Sequence, residues 1–197
     1  MKKWIIILLV LCLIGAGAIG YFSTRSGAAE PQLPNDTPET DAESGVMAKI
    51  YALHEPDEVV MTVGGEEITW ETYFAMLHNL IRQQENNMAN YGMSMDWSLT
   101  YDEEGHTYAD MAMEQTEQTL KQMIGVENFA AKNKVELTEE DRAAMDESIQ
   151  QLLATYFDEG ATEEDLNARL AEGYMPRSLY DRMVEQSFLI DLYRPLC

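Results

Sequence analysis

The alternation of apolar and polar residues near residue 58 predicts a strand pair that leads directly into a helix. The stretch Val59–Val63 is rich in β-branched residues, and Gly64 and Gly65 can supply the positive φ angles of a tight turn. Ile68 returns the chain after the turn, and Thr69 has the side chain of a good helix N-cap. One short hairpin at the entrance of a helix is therefore expected.

Beyond Thr69, apolar residues recur three and four positions apart, which is the spacing of amphipathic helices. The first helix carries the stripe Trp70, Tyr73, Phe74, Leu77, Leu80 and Ile81. A polar, methionine-rich stretch follows from about residue 86 to residue 105. Four more helices are predicted, starting near Tyr108, after Thr138, after Thr162 and at Pro176. The fold class is therefore mainly α, with one hairpin.

Two of these later helices have stripes that predict which side chains face the core. In the helix from Tyr108 to Asn133 the inward residues are predicted to be Leu120, Met123, Ile124, Phe129 and Ala130. Asn133 is the expected left-handed residue at its end, since asparagine tolerates that conformation. In the last helix the stripe is Leu179, Tyr180, Met183, Val184, Phe188, Ile190 and Leu192.

The N-terminus has the pattern of a membrane-inserted segment. Lys2 and Lys3 precede an uncharged run over residues 4–22. A helix of that length spans about 28 Å, close to the hydrocarbon thickness of a bilayer. The two lysines favour a cytoplasmic N-terminus, which would place the rest of the chain outside the cell.

Three interpretations of this segment remain open. An uncleaved anchor is favoured because the apolar run continues through Tyr21 and Phe22. A cleaved signal peptide would use the small residues at positions 16–18, and the protein would then be secreted. Lipoprotein processing at Cys12 is disfavoured because Leu11 stands where a small residue is expected.

Residues 23–45 are predicted to be a flexible linker. Pro31, Pro34 and Pro38 lie among glycine, serine, threonine and acidic residues, with little apolar surface to bury. The chain is thus divided into a signal or anchor segment over residues 1–22, a linker over residues 23–45, and one helical domain over residues 46–197.

The charge distribution excludes nucleic acid as a partner. The chain has 13 Lys and Arg against 35 Asp and Glu, a formal charge of -22. Lys2, Lys3 and Arg25 precede the first acid, so residues 30–197 carry 10 cations against 35 acids. Without a basic stripe there is nothing to neutralise phosphates. The acidity is interpreted either as ordinary solvation, or as a device that repels anionic envelope polymers or attracts basic clients.

No residue pattern predicts catalysis, a cofactor or a metal site. His54, His78 and His106 are isolated in sequence, and the acids at 102–104 lack the spacing of a calcium loop. The two cysteines, Cys12 and Cys197, lie in the apolar segment and at the terminus. Catalytic and metal-binding residues are therefore predicted to be none, and cofactors none.

Methionine is unusually frequent, with 13 in the chain, and Met88, Met93 and Met95 cluster after the first predicted helix. Flexible, polarizable methionine side chains fill irregular gaps in a core, and they also suit surfaces that accept many apolar partners. Both interpretations are retained.

Three segments in order resemble landmarks of the SurA/PrsA family of bacterial extracytoplasmic foldases. "VVMTVGGEEITWETYF" resembles the strand, glycine turn and capped helix with which the family's chaperone domain begins. "LKQMIGVENFAAKNKVELTEEDRAAMDESIQQL" resembles its next helix pair, and "GATEEDLNARLAEGYMPRSLYDRM" resembles its short and final helices. The match covers about two thirds of the chain.

The resemblance implies a helical domain, similar to the SurA N-terminal domain, that binds unfolded, newly translocated polypeptides at the bacterial cell membrane. The expected client-binding residues are Trp70, Tyr73, Phe74, Leu77, Met88, Met93 and Met95. Many family members also carry a parvulin-type peptidyl-prolyl isomerase domain, but nothing in this chain resembles its His and Gly-Gly signatures. A truncated isomerase and a tethered helical module with one fixed partner are the alternatives.

Overall fold

The computed structural model describes residues 41–157 and 160–193, and it confirms a mainly helical fold with one small sheet. The elements are α1 (Asp41–Tyr51), β1 (Val59–Val63), β2 (Glu66–Thr69), α2 (Trp70–Asn90), α3 (Tyr108–Asn133), α4 (Glu139–Tyr156), α5 (Glu163–Glu172) and α6 (Arg177–Tyr193). Helix α1 begins inside the range predicted to be linker. The predicted anchor and the rest of the linker lie outside the described residues. No helix in the described part of the chain has the length and apolar character needed to cross a membrane.

The hairpin forms as the sequence predicts, with a two-residue turn. Strands β1 and β2 pair antiparallel, and Val63 opposite Glu66 closes the turn. Gly64 and Gly65 have φ angles of 61° and 92°, the pair of positive values that a type I′ turn requires. This turn matches the twist of the flanking strands, so the hairpin needs glycine, or a residue equally tolerant of positive φ, at both positions.

The hairpin is fastened to the helices through its inner face and its turn. Ile68 of β2 is 1% exposed and belongs to the main core. At Gly64, an added Cβ would lie 3.2 Å from Asn128 Nδ2 and 3.5 Å from Ile124 Cγ2, so the turn runs against α3. Beyond the turn, Arg182 of α6 pairs with Glu66 at 2.7 Å. The small sheet thus contacts both α3 and α6.

Arg182 is the centre of a polar network that joins three elements. Its guanidinium donates two hydrogen bonds to Glu127 of α3 as well as pairing with Glu66. Gln186 donates to the Met123 carbonyl at 2.9 Å and to Glu127 at 2.7 Å. Partial burial raises the pKa of Glu127, but the hydrogen bonds from Arg182 and Gln186 outweigh it and leave that pKa lowered. The network therefore holds Glu127 ionised.

Threonine caps set the starts of the helices, as predicted. Thr69 accepts a hydrogen bond from the Thr72 N–H at the start of α2. Thr138 forms a capping box, in which the Thr138 N–H donates to Asp141 and the Asp141 N–H donates back to the threonine hydroxyl. The Thr162 N–H donates to Asp165 at 2.7 Å. These acids also lie at the positive end of each helix dipole.

The main core is formed where α2 packs on α3, and where α3 and α4 pack on α6. Leu120 and Val184 are fully buried there. Phe129 was predicted to face inward, but it is 51% exposed. At about 100° per residue it lies about 180° around α3 from Leu120, so it falls off the buried stripe. Ile190 is likewise exposed, and Leu189 is buried in its place.

The left-handed end of α3 is one residue later than predicted. Asn133 stays helical, and its side chain donates to the Phe129 carbonyl. Lys134 instead has φ of 53°, and its N–H and that of Val135 donate to the carbonyls of Ala131 and Ala130. These two bonds form a Schellman motif, which places the left-handed residue after the last helical one.

Alanine substitutions test the conformational requirement at the turn. Gly64→Ala and Gly65→Ala are each expected to lower the free energy of unfolding by about 1–2 kcal/mol, because an L-residue resists positive φ. Gly125 is the matched control, since it lies inside α3 with open space where a Cβ would be. Gly125→Ala should raise stability by about 0.5–1 kcal/mol. Urea denaturation measures all three, and a loss at Gly125 equal to that at Gly64 would contradict this account.

Tyr180 offers a second test, because its ring is fully buried while no described residue hydrogen-bonds its hydroxyl. Burial raises its pKa to about 12. Tyr180→Phe should therefore raise the free energy of unfolding by about 1–2 kcal/mol. It should also remove a loss of stability that otherwise develops as pH rises from 10 to about 12. The exposed Tyr91 is the control: Tyr91→Phe should change stability by less than about 0.5 kcal/mol. Destabilisation by Tyr180→Phe would mean that the hydroxyl has a partner.

Candidate binding surface

The predicted client-binding residues on α2 lie in a packed aromatic cluster rather than on an open surface. Trp70 is 8% exposed, Phe74 1% and Leu77 9%, while Tyr73 is half-buried. The Trp70 indole N–H donates to the Tyr51 carbonyl at 2.8 Å, which ties the end of α1 to the start of α2. The predicted stripe is therefore covered in this conformation.

The centre of this aromatic cluster is Phe74. Its ring centroid lies 5.1 Å from those of Tyr51 and Tyr174, and 5.3 Å from that of Trp70. His78 is buried beside Tyr174, and its Nδ1 donates to the Gly173 carbonyl at 3.1 Å. The cluster joins α1, α2 and the turn between α5 and α6, and tilted or edge-to-face ring pairs of this kind stabilise packing.

Tyr174 takes part in the cluster at a conformational cost. Its φ is 56°, a left-handed value that bulky L-residues seldom adopt. The N–H groups of Tyr174 and Met175 donate to the carbonyls of Ala171 and Leu170, which ends α5 in a Schellman motif. The φ of Gly173 is negative, and the left-handed position falls to the next residue.

Two of the three predicted methionine sites form the end of α2. The N–H of Met93 donates to the Met88 carbonyl and that of Gly92 to the Ala89 carbonyl, with Gly92 at φ of 69°. These two bonds form a Schellman motif, in which the side chains at the positions of Met88 and Met93 commonly contact each other. Met93 is 51% exposed, whereas Met88 and Met95 are half-buried. Of the seven predicted residues, Met93 is therefore the most accessible.

Residues 91–107, named here the connector, are held in place between α2 and α3. The Trp97 indole N–H donates to Glu85 of α2 at 3.0 Å. The N–H groups of Tyr108 and Ala109 donate to the carbonyls of Leu99 and Trp97, so the connector runs along the first turn of α3. Thr100 and Thr107 form an isolated antiparallel bridge that closes its tip.

The connector and the start of α3 expose apolar side chains of which the sequence analysis selected only Met93. Leu99 is 55% exposed, Tyr101 43%, and Met113, one turn beyond Ala109 on α3, is 41% exposed. Tyr91 and Met93 are exposed at its start. We call these five side chains the connector surface. The missed signal was an alternation: Tyr91, Met93, Leu99 and Tyr101 fall on every second position of residues 91–101, which is the spacing of a strand with one exposed face. Met113 lies on α3, outside the buried stripe of that helix.

Several carboxylates act on Tyr101, one of the five side chains of this surface. Between Arg82 and Lys121 the chain contains eight acids and neither lysine nor arginine. Desolvation, followed by the charges of Asp102, Glu114, Asp110 and Glu104, raises the pKa of Tyr101. Carboxylates from the tip of the connector and from α3 therefore act on the same phenol, and the local potential is negative.

A cluster of three titratable side chains, which the sequence analysis did not predict, lies at the tip of the connector. Asp102 and His106 are hydrogen-bonded through the Asp102 carboxylate and His106 Nδ1, and Glu104 lies 3.9 Å from the same nitrogen. The His106 hydrogen bond lowers the pKa of Asp102, and the reciprocal bond raises that of His106. The three ligand atoms are close enough to hold a divalent cation, but the group is exposed and its hydrogen bonds alone account for its geometry.

In the part of the chain that the structure describes, the Asp102, Glu104 and His106 group is the one set of acids, histidines or cysteines with metal-binding geometry. No protein-family model, curated protein or solved structure matches this chain. The described geometry thus offers one accessible feature, an acidic surface bearing apolar side chains, and one covered feature, the aromatic cluster.

The Asp102 and His106 pair can be tested by titration. Asp102→Asn is expected to lower the pKa of His106 toward its ordinary value, because the mutation removes the charge and weakens the hydrogen bond. In the native protein the pair stabilises the tip above the pH at which Asp102 protonates, and this stabilisation is lost as pH rises through the pKa of His106. Side-chain NMR of His106 measures the shift. Glu103→Gln is the control, and an equal shift in that variant would contradict the pairing.

Proposed function

We propose that this chain is a membrane-tethered, extracytoplasmic chaperone module that binds apolar segments of unfolded polypeptides. The observation that carries the proposal is the connector surface. Leu99, Tyr101 and Met93 are each more than two fifths exposed, in a domain whose core buries many other apolar side chains. Contiguous exposed apolar patches are typical of interaction sites, and the proposal is that these side chains form one.

Two further observations support it. The described fold is mainly helical with a single hairpin at the entrance to a long helix, the kind of fold expected from the resemblance to the SurA/PrsA foldases. The strong negative charge of the chain also opposes contact between the exposed apolar side chains of two copies, because like charges repel. The apolar run over residues 4–22 would hold the module at the outer face of the bacterial cell membrane.

The two predicted groups of client-binding residues have different roles under this proposal. Met93 can contact a client directly because it is exposed. Trp70, Phe74 and Leu77 can do so only if α1 moves away, because Tyr51 lies against Phe74 and accepts the Trp70 hydrogen bond. The proposal therefore assigns first contact with clients to the connector and leaves the aromatic cluster as a packing unit.

The proposal predicts suppression of aggregation. The full chain, inserted in nanodiscs of zwitterionic lipid, should reduce the light scattering of a diluted, chemically denatured client, and about equimolar chain should give most of the effect. Empty nanodiscs at the same lipid concentration are the control. Absence of any suppression at ten equivalents would overturn the chaperone proposal.

The same preparation separates the alternatives. Proline-isomerisation rates of a reporter peptide should equal the rate with empty nanodiscs, and turnover above that rate would favour an isomerase. Capture of one protein at saturation, with no effect on several unrelated clients, would favour a module with a fixed partner.

A further inference from the structure

We propose that the connector surface selects polypeptide segments that combine apolar side chains with lysine or arginine. The inference rests on the proposed function, since it names the chemistry of the client and the place where it docks. It commits to a flexible, cationic and apolar peptide segment as the occupant.

The first part of the proposal is apolar contact. Leu99, Tyr101 and Met113 present an aliphatic, an aromatic and a thioether group around the first turns of α3. The Tyr101 ring lies 5.9 Å from that of Tyr108 and 6.3 Å from that of His106, so it is supported from both sides of the tip. A supported aromatic ring beside a flexible methionine suits apolar groups of several shapes.

The second part is charge complementarity. Residues 83–120 contain the acids Glu85, Asp96, Asp102, Glu103, Glu104, Asp110, Glu114 and Glu117, and no lysine or arginine. Exposed Glu103, Glu104 and Asp110 lie at the tip and on the first turn of α3, while exposed Glu114 adjoins Met113. A lysine or arginine two or three residues from an apolar client side chain would lie within one Debye length, about 8 Å at physiological salt, of several of these carboxylates.

The raised pKa of Tyr101 supports this second part. After desolvation, the contributions to that shift come from carboxylates on the connector and on α3, so both elements contribute to one negative field. The pKa of His106 is raised by the Asp102 hydrogen bond and charge, and also by Asp110 and Glu114. A cation that enters this field is stabilised by the same charges.

A second copy's connector and this chain's linker both have the wrong charge to occupy the surface. A second copy would bring its own acid-rich connector against this one. The linker over residues 23–45 has Arg25 as its single cation against Glu30, Asp36, Glu39, Asp41 and Glu43. Like charges in contact suppress such pairings. A segment of opposite charge is therefore the occupant that the surface fits.

The connector is also organised before a client arrives. Trp97 donates to Glu85, the carbonyls of Leu99 and Trp97 accept from α3, and Thr100 pairs with Thr107. A surface held in this way loses less conformational entropy on binding than a free loop would.

Peptide binding tests the proposal with the full chain in nanodiscs of zwitterionic lipid. Three fluorescent peptides share one length: one has apolar residues and lysines, one has the same apolar residues with glutamates in place of the lysines, and one has lysines with serines in place of the apolar residues. Fluorescence anisotropy should give the tightest Kd for the first peptide. Each of the other two should bind at least about ten-fold more weakly, and the preference over the glutamate peptide should shrink at high salt.

Two pairs of variants locate the site. Leu99→Ser with Met113→Ser should weaken binding of the first peptide about ten-fold, and so should Glu103→Lys with Glu114→Lys. The matched controls are Leu53→Ser, at an exposed leucine before β1, and Glu136→Lys with Asp146→Lys, at exposed acids on or before α4. Both controls should bind like the native chain. Circular dichroism establishes that every variant is folded.

The outcomes separate this inference from the proposed function. Equal binding of all three peptides, or native binding by both connector variants, would overturn the inference. If aggregation is still suppressed in that case, the chaperone proposal stands and clients bind elsewhere. If the native chain neither binds any of the peptides nor suppresses aggregation, both the inference and the chaperone proposal are overturned. Concentration-dependent dimers of the native chain that the connector variants abolish would make a second copy the occupant, which also contradicts the inference.

Discussion

The close contact of the hairpin with α3 and α6 is the constraint on which the rest of this structure depends. A type I′ turn lets Gly64 run against Ile124 and Asn128, and it leaves Ile68 in the core and Glu66 within reach of Arg182. A side chain such as Ile68 typically contributes about 2–5 kcal/mol when buried, as judged from truncation to alanine. The polar network of Arg182, Glu127 and Gln186 is partly exposed, so it contributes little to the free energy of unfolding. Its main effect is to fix the orientation of α6 relative to α3 and the hairpin.

The same contact orients α2 and therefore the connector. Trp70 begins α2 directly after β2, and its N–H donates to the Glu58 carbonyl in front of β1. Because α2 is 21 residues long, its first residue and its last lie about 30 Å apart. The aromatic cluster at one end and the connector at the other are thus separate surfaces on one rigid element. This separation explains how a packed cluster and an exposed apolar surface occur in one small domain.

Electrostatics distinguishes the two ends as well. The connector region lacks cations between Arg82 and Lys121, whereas the hairpin is fastened by an arginine. Glu85 pairs with Arg82, Glu117 with Lys121 and Asp102 with His106, while the other carboxylates of this region repel one another. Their exposure keeps that repulsion screened by water and salt. A cationic segment would relieve the repulsion, while further acids would add to it. The repulsion among carboxylates, which destabilises the surface, is therefore also the proposed reason that the surface prefers cationic segments to acidic ones.

Local patterns determined much of the fold from the sequence alone. The glycine pair predicted the turn because glycine adopts positive φ angles without the steric penalty that most residues incur. The threonine caps gave the helix starts because their hydrogen bonds lie within three residues. The predictions of buried residues failed where the angular position of a residue around its helix mattered more than its apolar character. Phe129 and Ile190 are apolar but exposed. Failures also came at the left-handed helix ends, where Lys134 and Tyr174 hold positions expected of asparagine or glycine.

Only the tertiary structure decided that Trp70, Phe74 and Leu77 are covered while Leu99, Tyr101 and Met113 are exposed, because burial depends on which elements pack together. It likewise brought Asp102, Glu104 and His106 together, since a tight bridge between Thr100 and Thr107 folds the tip back on itself.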